Sequence, residues 1–271
     1  MDHGVHFISG LPRAGSTLLS AILVQNPRFH ASIISPVAGF FKALSHEMSQ
    51  GSETSVFIDE DKRKAVLSAA FDGYYFREHP KKVVFDTHRS WASKVSALGT
   101  LFPPSKVICC VRHVPWVVDS LERQYQRNAL EPSSIYNFDP AGTVYSRFEG
   151  IRSGAGLVGF AWNATREAFF GGHGDRLMLL TYETLVSDPA RAMRAVYEFI
   201  DEAWFEHDFE HLEMDAADFD RRLGSPGLHT VRRQLRADPR PTILPPDLWA
   251  LTENDSFWMN PDYRTLGVQV V

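Results

Sequence analysis

The chain has 271 residues, 44% of them hydrophobic, which is enough to bury one large core, and it reads as a single domain over residues 1–271. A formal net charge of −5 argues against a general nucleic-acid binder, and no apolar run at the start approaches the length of a signal peptide or membrane span. The two cysteines, Cys109 and Cys110, are adjacent in an apolar run and poorly placed to pair, so they read as reduced packing residues of a cytoplasmic protein.

The stretch VHFISGLPRAGSTLLSAILVQN, from Val5 to Asn26, reads as strand, loop and helix without a break. Val5, Phe7 and Ile8 form a short apolar run that Gly10 ends. Leu18, Leu19, Ile22 and Leu23 then recur at helical spacing until Asn26-Pro27. A turn of this kind aims free backbone N–H groups and the positive end of a helix dipole at the loop, where a multi-oxygen anion can sit. Measured against the nucleotide-binding pattern G-x-x-x-x-G-K-[ST], Gly10 to Thr17 keeps both glycines and the hydroxyl but carries Ser16 in the lysine position. The cation is Arg13 instead, and arginine suits a planar, bidentate hold on a short anion.

A helix is predicted over Val37 to Met48, an exposed loop over Ser49 to Asp61, and a helix over Lys62 to Glu78 with Val66, Ala69, Ala70, Phe71 and Tyr74 on one face. Val83, Val84 and Phe85 read as a strand from whose carboxyl end Asp86, Thr87, His88 and Arg89 emerge, the end at which open α/β sheets bind ligands. A histidine near neutrality suits proton removal from a hydroxyl; a strand-end cluster of Asp86, His88 and Arg89 is the alternative. Val107 to Val111 form a continuous apolar strand of the kind found inside a parallel sheet, with Arg112 at its end, Pro115 in the first turn of the next helix and Ser120 on that helix.

Residues 128–156 read as loops with short helices, in which Tyr125, Tyr136, Phe138, Tyr145 and Phe148 are candidates to line a pocket. A helix is expected over Phe160 to Phe170 and a strand over Leu177 to Thr181; Asp188-Pro189 then starts a helix by capping. His207 and His211, four apart, would share a helix face but lack a third metal ligand. Arg221, Arg222, His229, Arg232, Arg233, Arg236 and Arg240 crowd a segment with few acids, which either closes over an anion or pairs with the acidic stretch before it. The tail from Pro245 is expected to pack back on the domain.

Pro12-Arg13-Ala14-Gly15-Ser16-Thr17 fits the pattern P-[KR]-[SA]-G-[ST]-[ST] and resembles the 5′-phosphosulfate loop of sulfotransferases that use 3′-phosphoadenosine-5′-phosphosulfate (PAPS). The resemblance implies an α/β, P-loop-NTPase-like fold with a mostly parallel sheet flanked by helices, and a PAPS site without metal. It places Arg13, Ala14, Gly15, Ser16, Thr17 and Leu18 around the phosphosulfate, and Arg112 and Ser120, eight positions apart, on the 3′-phosphate. Tyr182 opens a segment similar to Y-E-x-L-x-x-D-P and would lie at the adenine. Arg232-Arg233 loosely resembles a late R-K-G loop without its glycine. Asp86-Thr87-His88 is similar to the K-T-H sequence that supplies the general base, with aspartate in place of lysine, and so implies His88 as base.

The implied acceptor is a hydroxyl of a small metabolite, a glycan or a peptide tyrosine. ISGLPRAGSTLL is closer in wording to the bacterial and protein-tyrosine branch than to the phenol-sulfating branch. Yet Ser32, Ile33, Ile34 and Ser35 stand where the protein-tyrosine enzymes carry an acidic base. Rival readings are a small-molecule or nucleotide kinase, which requires a loop lysine and Mg²⁺, and a non-catalytic nucleotide-binding protein. Nucleic acid and membrane insertion are not expected, and oligomeric state is not legible.

Overall fold

The computed structural model describes residues 4–49, 52–78, 82–131, 133–136, 142–235 and 240–271. In chain order its elements are β1 (Val5–Gly10), α1 (Ser16–Leu23), β2 (Phe29–Ala31), α2 (Val37–Glu47), α3 (Glu60–Phe71), β3 (Val83–Thr87), α4 (Val95–Leu101), β4 (Val107–Val111) and α5 (Val114–Arg127). There follow α6 (Val144–Arg152), α7 (Leu157–Phe170), β5 (Leu177–Thr181), α8 (Tyr182–Ser187), α9 (Pro189–Ile200), α10 (Ala217–Arg222), α11 (Pro246–Ala250) and β6 (Gln269–Val270). The strands form one sheet in the order β2-β3-β1-β4-β5-β6, and every neighbouring pair is parallel. This is an α/β fold of the P-loop-like kind.

The sheet's interior explains its sequence. β1, β3 and β4 are buried along their whole length because helices cover both faces; β4 runs apolar throughout, and the polar residues of β1 and β3, His6, Ser9, Asp86 and Thr87, are buried with the rest. Phe7, Ile8, Ile108, Cys109 and Cys110 are all fully buried, although neighbours in a strand point to opposite faces. The chain leaves β1 toward β3 on one side and returns to β4 on the other, so the loop after β1 lies at the point where the strand order reverses. Such a point opens a crevice at the carboxyl ends of the strands.

Helix boundaries follow local chemistry. Asp59 Oδ1 accepts the Lys62 N–H at 2.8 Å and starts α3, so the expected loop over 49–61 ends earlier and also contains a single-turn helix, Glu53–Phe57. Asp188 Oδ1 accepts the Arg191 N–H at 3.1 Å and caps α9, with Pro189 in its first turn. Thr181 Oγ1 accepts the Thr184 N–H at 3.2 Å, which turns β5 straight into α8.

Three expectations need correction. The inward face of α3 and the turn after it carries Leu67, Phe71 and Tyr75, whereas Val66 and Tyr74 are exposed. Spacing alone allowed either register, and the aromatic cluster of Phe7, Phe71, Trp91 and Phe102 selects this one. Asp86 does not emerge from β3 but is fully buried, accepting from Ser35 Oγ at 2.6 Å, Tyr75 Oη at 2.8 Å and Trp91 Nε1 at 2.7 Å. His207 and His211 lie on no common helix; His207 is buried against Tyr197 Oη at 3.0 Å, while His211 pairs with Asp208 on the surface. The short strands β2 and β6 had no sequence signal. The tail does return: Phe257 and Trp258 are buried and β6 extends the sheet beside β5. Among the described residues no helix is long and apolar enough to cross a membrane.

Candidate anion-binding and transfer site

The carboxyl ends of β1, β3, β4 and β5 open into one cavity of about 940 Å³. The loop from Gly10 to Gly15 forms its floor. Gly10 has φ +106°, and a Cβ there would collide with the Cys110 carbonyl, to which the Leu11 N–H donates at 2.8 Å. Gly15 has φ +97° and lies against the Tyr182 ring, which a Cβ would meet at 3.1 Å. Both positions need glycine for close approach as well as for backbone conformation. Arg13, between them, is itself left-handed at φ 59°. Among the described residues no side chain caps α1, and no acid occupies its first turn, so the N–H groups that begin the helix are available to an anion.

Arg13 is held from two directions. Its Nε donates to Ser120 Oγ on α5 at 3.0 Å, and its carbonyl accepts from Arg112 Nη1 at 3.4 Å. Arg112 lies over the Tyr182 ring, 4.2 Å from its centroid, and its buried Nε has no partner among the described residues. Burial first, and the neighbouring Arg112 charge second, bring the Arg13 guanidinium down to about 10. Arg112 is likewise lowered by burial. Two cations packed together, one with an unpaired donor, are costly, and an anion of several oxygens relieves that cost.

The described cavity lining carries eight arginines, Arg13, Arg89, Arg112, Arg123, Arg127, Arg147, Arg232 and Arg240, and no carboxylate. In a chain with a net charge of −5 this is a strong local inversion. Carboxylates behind the wall hold some of these arginines in place. Asp119 accepts from Arg123 and Arg240, both at 2.9 Å, and Glu122 pairs with Arg147.

His88 stands just past β3, its backbone N–H donating to the Ile8 carbonyl at 3.0 Å. The turn after it is pinned to β1 by Ser9, whose Oγ donates to the Arg89 carbonyl and accepts the Ala92 N–H. His88 Nδ1 accepts the Ser90 N–H at 3.2 Å and lies 2.7 Å from Ser90 Oγ. Burial, then the Arg89 charge, bring the ring down to about 4, so it is neutral near pH 7. With Nδ1 accepting, the neutral ring carries its proton on Nε2.

Of the residues singled out from sequence, Arg13, Gly15, Ser16, Thr17, Leu18, His88, Arg112, Ser120, Tyr182 and Arg232 all line this cavity. Ala14 is buried behind the loop. Arg233 is not part of the lining; it is exposed and 3.4 Å from Glu213, the pairing with the acidic stretch that the charge pattern allowed. Tyr136 lines the cavity, Tyr125 packs under Arg147, Phe148 is buried and Tyr145 is exposed. Phe138 and Arg236 lie outside the described residues. Among the described residues no three His, Cys, Asp or Glu side chains gather as metal ligands.

Two lining residues, His229 and Arg240, stand in the sequence only as members of a basic cluster. His229 Nδ1 is 2.5 Å from Asp220 Oδ1, while the His229 backbone N–H donates to Asp220 Oδ2 at 2.8 Å. The spacing of nine residues across a glycine-containing loop gives no sequence signal for such a pair.

Residues 6–206, well over half of the chain, match the model of the sulfotransferase family. Solved structures that match this chain include a sulfotransferase domain from the curacin biosynthetic pathway, at 17% identity over 76% of each chain with a TM-score of 0.49. A sulfotransferase from Alicyclobacillus acidocaldarius matches at 16% identity over 80% of this chain and 88% of that one, also with a TM-score of 0.49. Mouse sulfotransferase SULT7A1, complexed with PAP, matches at 10% identity over 76% of this chain and 60% of that one, with a TM-score of 0.46.

Proposed function

The chain belongs to the sulfotransferase family, and on that premise we propose that it moves a sulfuryl group from PAPS to an acceptor hydroxyl, leaving 3′,5′-adenosine bisphosphate (PAP). The observation that carries this reading is the Arg13, Ser120 and Arg112 cluster: half-buried cations lining a cavity whose described lining has no carboxylate, beside a helix N-terminus without a side-chain cap among the described residues. PAPS presents two separate anionic groups, and the cluster offers two matching holds. The loop N–H groups of residues 14–18 and Arg13 suit the phosphosulfate. Arg112, Ser120 and Arg232 suit the 3′-phosphate, and Tyr182 supplies an aromatic face for the adenine.

In transfer, negative charge builds on the bridging oxygen as the sulfur–oxygen bond breaks. Donors already fixed in place stabilise that charge without reorganisation, and Arg13, half-buried and oriented by Ser120, is such a donor. His88, at the carboxyl end of β3, lines the same cavity, as do Ile33 and Ile34.

The test is thermal stabilisation by PAP compared with ATP and Mg²⁺. A ligand that binds only the folded form raises the melting temperature. PAP is expected to stabilise the protein and ATP with Mg²⁺ to do much less. The reverse ranking would overturn the donor assignment and favour a kinase.

A further inference from the structure

We infer that His229, oriented by Asp220, is the group that takes the proton from the acceptor hydroxyl, and that His88 serves as a hydrogen-bond donor. The inference rests on the donor reading above and goes beyond it to the base.

The two histidines of the described cavity lining, His88 and His229, are hydrogen-bonded in opposite senses. His88 Nδ1 faces the Ser90 N–H and must accept, which leaves Nε2–H pointing elsewhere. His229 Nδ1 faces a carboxylate and must donate, which leaves Nε2 with its lone pair. Asp220 is almost completely buried while the His229 side chain is 21% exposed and lines the cavity. The open edge of the ring is therefore the one opposite Asp220, and it bears Nε2. The carboxylate holds the imidazole twice, through the ring and through the backbone N–H, so orientation and tautomer are set together. This is the division of labour between base and orienting acid in hydrolytic triads.

The charges around His229 come from three elements: Asp220 on α10, Arg13 from the loop after β1, and Arg89 from the turn after β3. Phe219 packs on the ring at 5.5 Å between centroids. Burial, Arg13 and Arg89 lower the His229 pKa, while Asp220 opposes them, so the ring is neutral near pH 7 and gains basicity from its partner. The same Asp220 charge acts on Arg13, which ties the pair to the phosphosulfate loop.

The step balances without a cofactor. The acceptor oxygen bonds to sulfur as the bond from sulfur to the bridging oxygen breaks, and that electron pair leaves on the 5′-phosphate of PAP. The acceptor proton passes to His229 Nε2, and the imidazolium is stabilised by Asp220. His88 Nε2–H is free to donate to an oxygen of the sulfuryl group.

The experiment combines ¹⁵N spectra of histidine-labelled, PAP-bound protein with release of labelled sulfate or phenyl sulfate from [³⁵S]PAPS, using water and phenol as acceptors. At pH 7 His229 is expected to be protonated on Nδ1 and bare on Nε2, with His88 reversed. His229→Gln should lower transfer about 100-fold or more while PAP still stabilises the protein as in the wild type. Asp220→Asn, which removes the orienting charge, should lower the rate and move the acid limb of the pH profile to lower pH; loss of fold alone would not move that limb. His88→Gln should leave the limb in place. A His229 ring protonated on Nε2, a His229→Gln protein with full transfer, or one that loses PAP stabilisation would each overturn the assignment. Failure of wild-type protein to be stabilised by PAP would instead overturn the donor reading, and the tautomers, read without ligand, would still decide the state of His229.

Discussion

Arg13 and Ser120 are 107 positions apart in sequence, yet Arg13 Nε donates to Ser120 Oγ at 3.0 Å. The bond joins the loop after β1 to α5, the helix that follows β4. It fixes the plane of the guanidinium while leaving its two terminal nitrogens for an anion. Ser120→Ala should weaken PAP binding by about tenfold, and Arg13→Ala by about 100-fold. Arg13→Lys should recover only part of that loss, because an ammonium lacks the planar fork. Titration calorimetry of the two single variants and the double variant should give a sum smaller than additive, since both changes remove one contact.

Gly10→Ala is expected to destabilise the fold by about 3 kcal/mol, since the new Cβ meets the Cys110 backbone in a left-handed conformation. Urea denaturation measures this directly. An alanine tolerated at wild-type stability would mean that β1 and β4 are less closely joined at this end than their contacts indicate.

Asp86 tests whether the departure from a lysine before Thr87-His88 is catalytic or structural. Its carboxylate collects three buried donors from α2's entry, the turn after α3 and the turn after β3. Asp86→Ala should cost about 3 kcal/mol in urea denaturation because those donors are left unpaired. Asp86→Lys should be worse still, bringing an ammonium among donors. In the folded Asp86→Ala protein PAP affinity should stay within a few-fold of wild type, since Asp86 does not line the cavity.

Stability should fall between pH 6.5 and pH 4. His6, fully within the core beside Lys106, is brought down to about 4 by burial first and the Lys106 charge second, and its Nδ1 accepts the Lys106 N–H. The unfolded chain therefore binds a proton there that the folded chain refuses, so this contribution is present above pH 6.5 and is lost as pH falls toward 4. For His6 alone it is on the order of 3 kcal/mol. His6→Asn, which keeps an acceptor without titrating, should flatten part of the slope in unfolding curves measured at pH 7, 6 and 5.

The sequence by itself determined the framework. Runs such as Val107 to Val111 are apolar without alternation because both sheet faces are covered, and Gly10, Gly15 and Arg13 punctuate the first turn because an anion-sized loop needs open backbone and a cation. Asp188-Pro189 announced a helix start through local capping. These signals are legible because each depends on neighbours a few residues away.

The tertiary structure decided what depends on contacts between distant segments. The two-residue strand β6 exists only because β5 offers it an edge, and the face of α3 was chosen by rings from β1 and the turn after β3. Whether an arginine faces the cavity or a surface glutamate separated Arg232 from Arg233, neighbours in sequence on different sides of one loop segment. The folded chain gave the Nδ1 atoms of His88 and His229 their partners, Ser90 and Asp220, and a histidine's chemistry follows the partner of its other nitrogen. Periodicity and capping act over a few residues and can be read from the chain, whereas desolvation and hydrogen-bond pairing act through space and become definite only when the chain has folded.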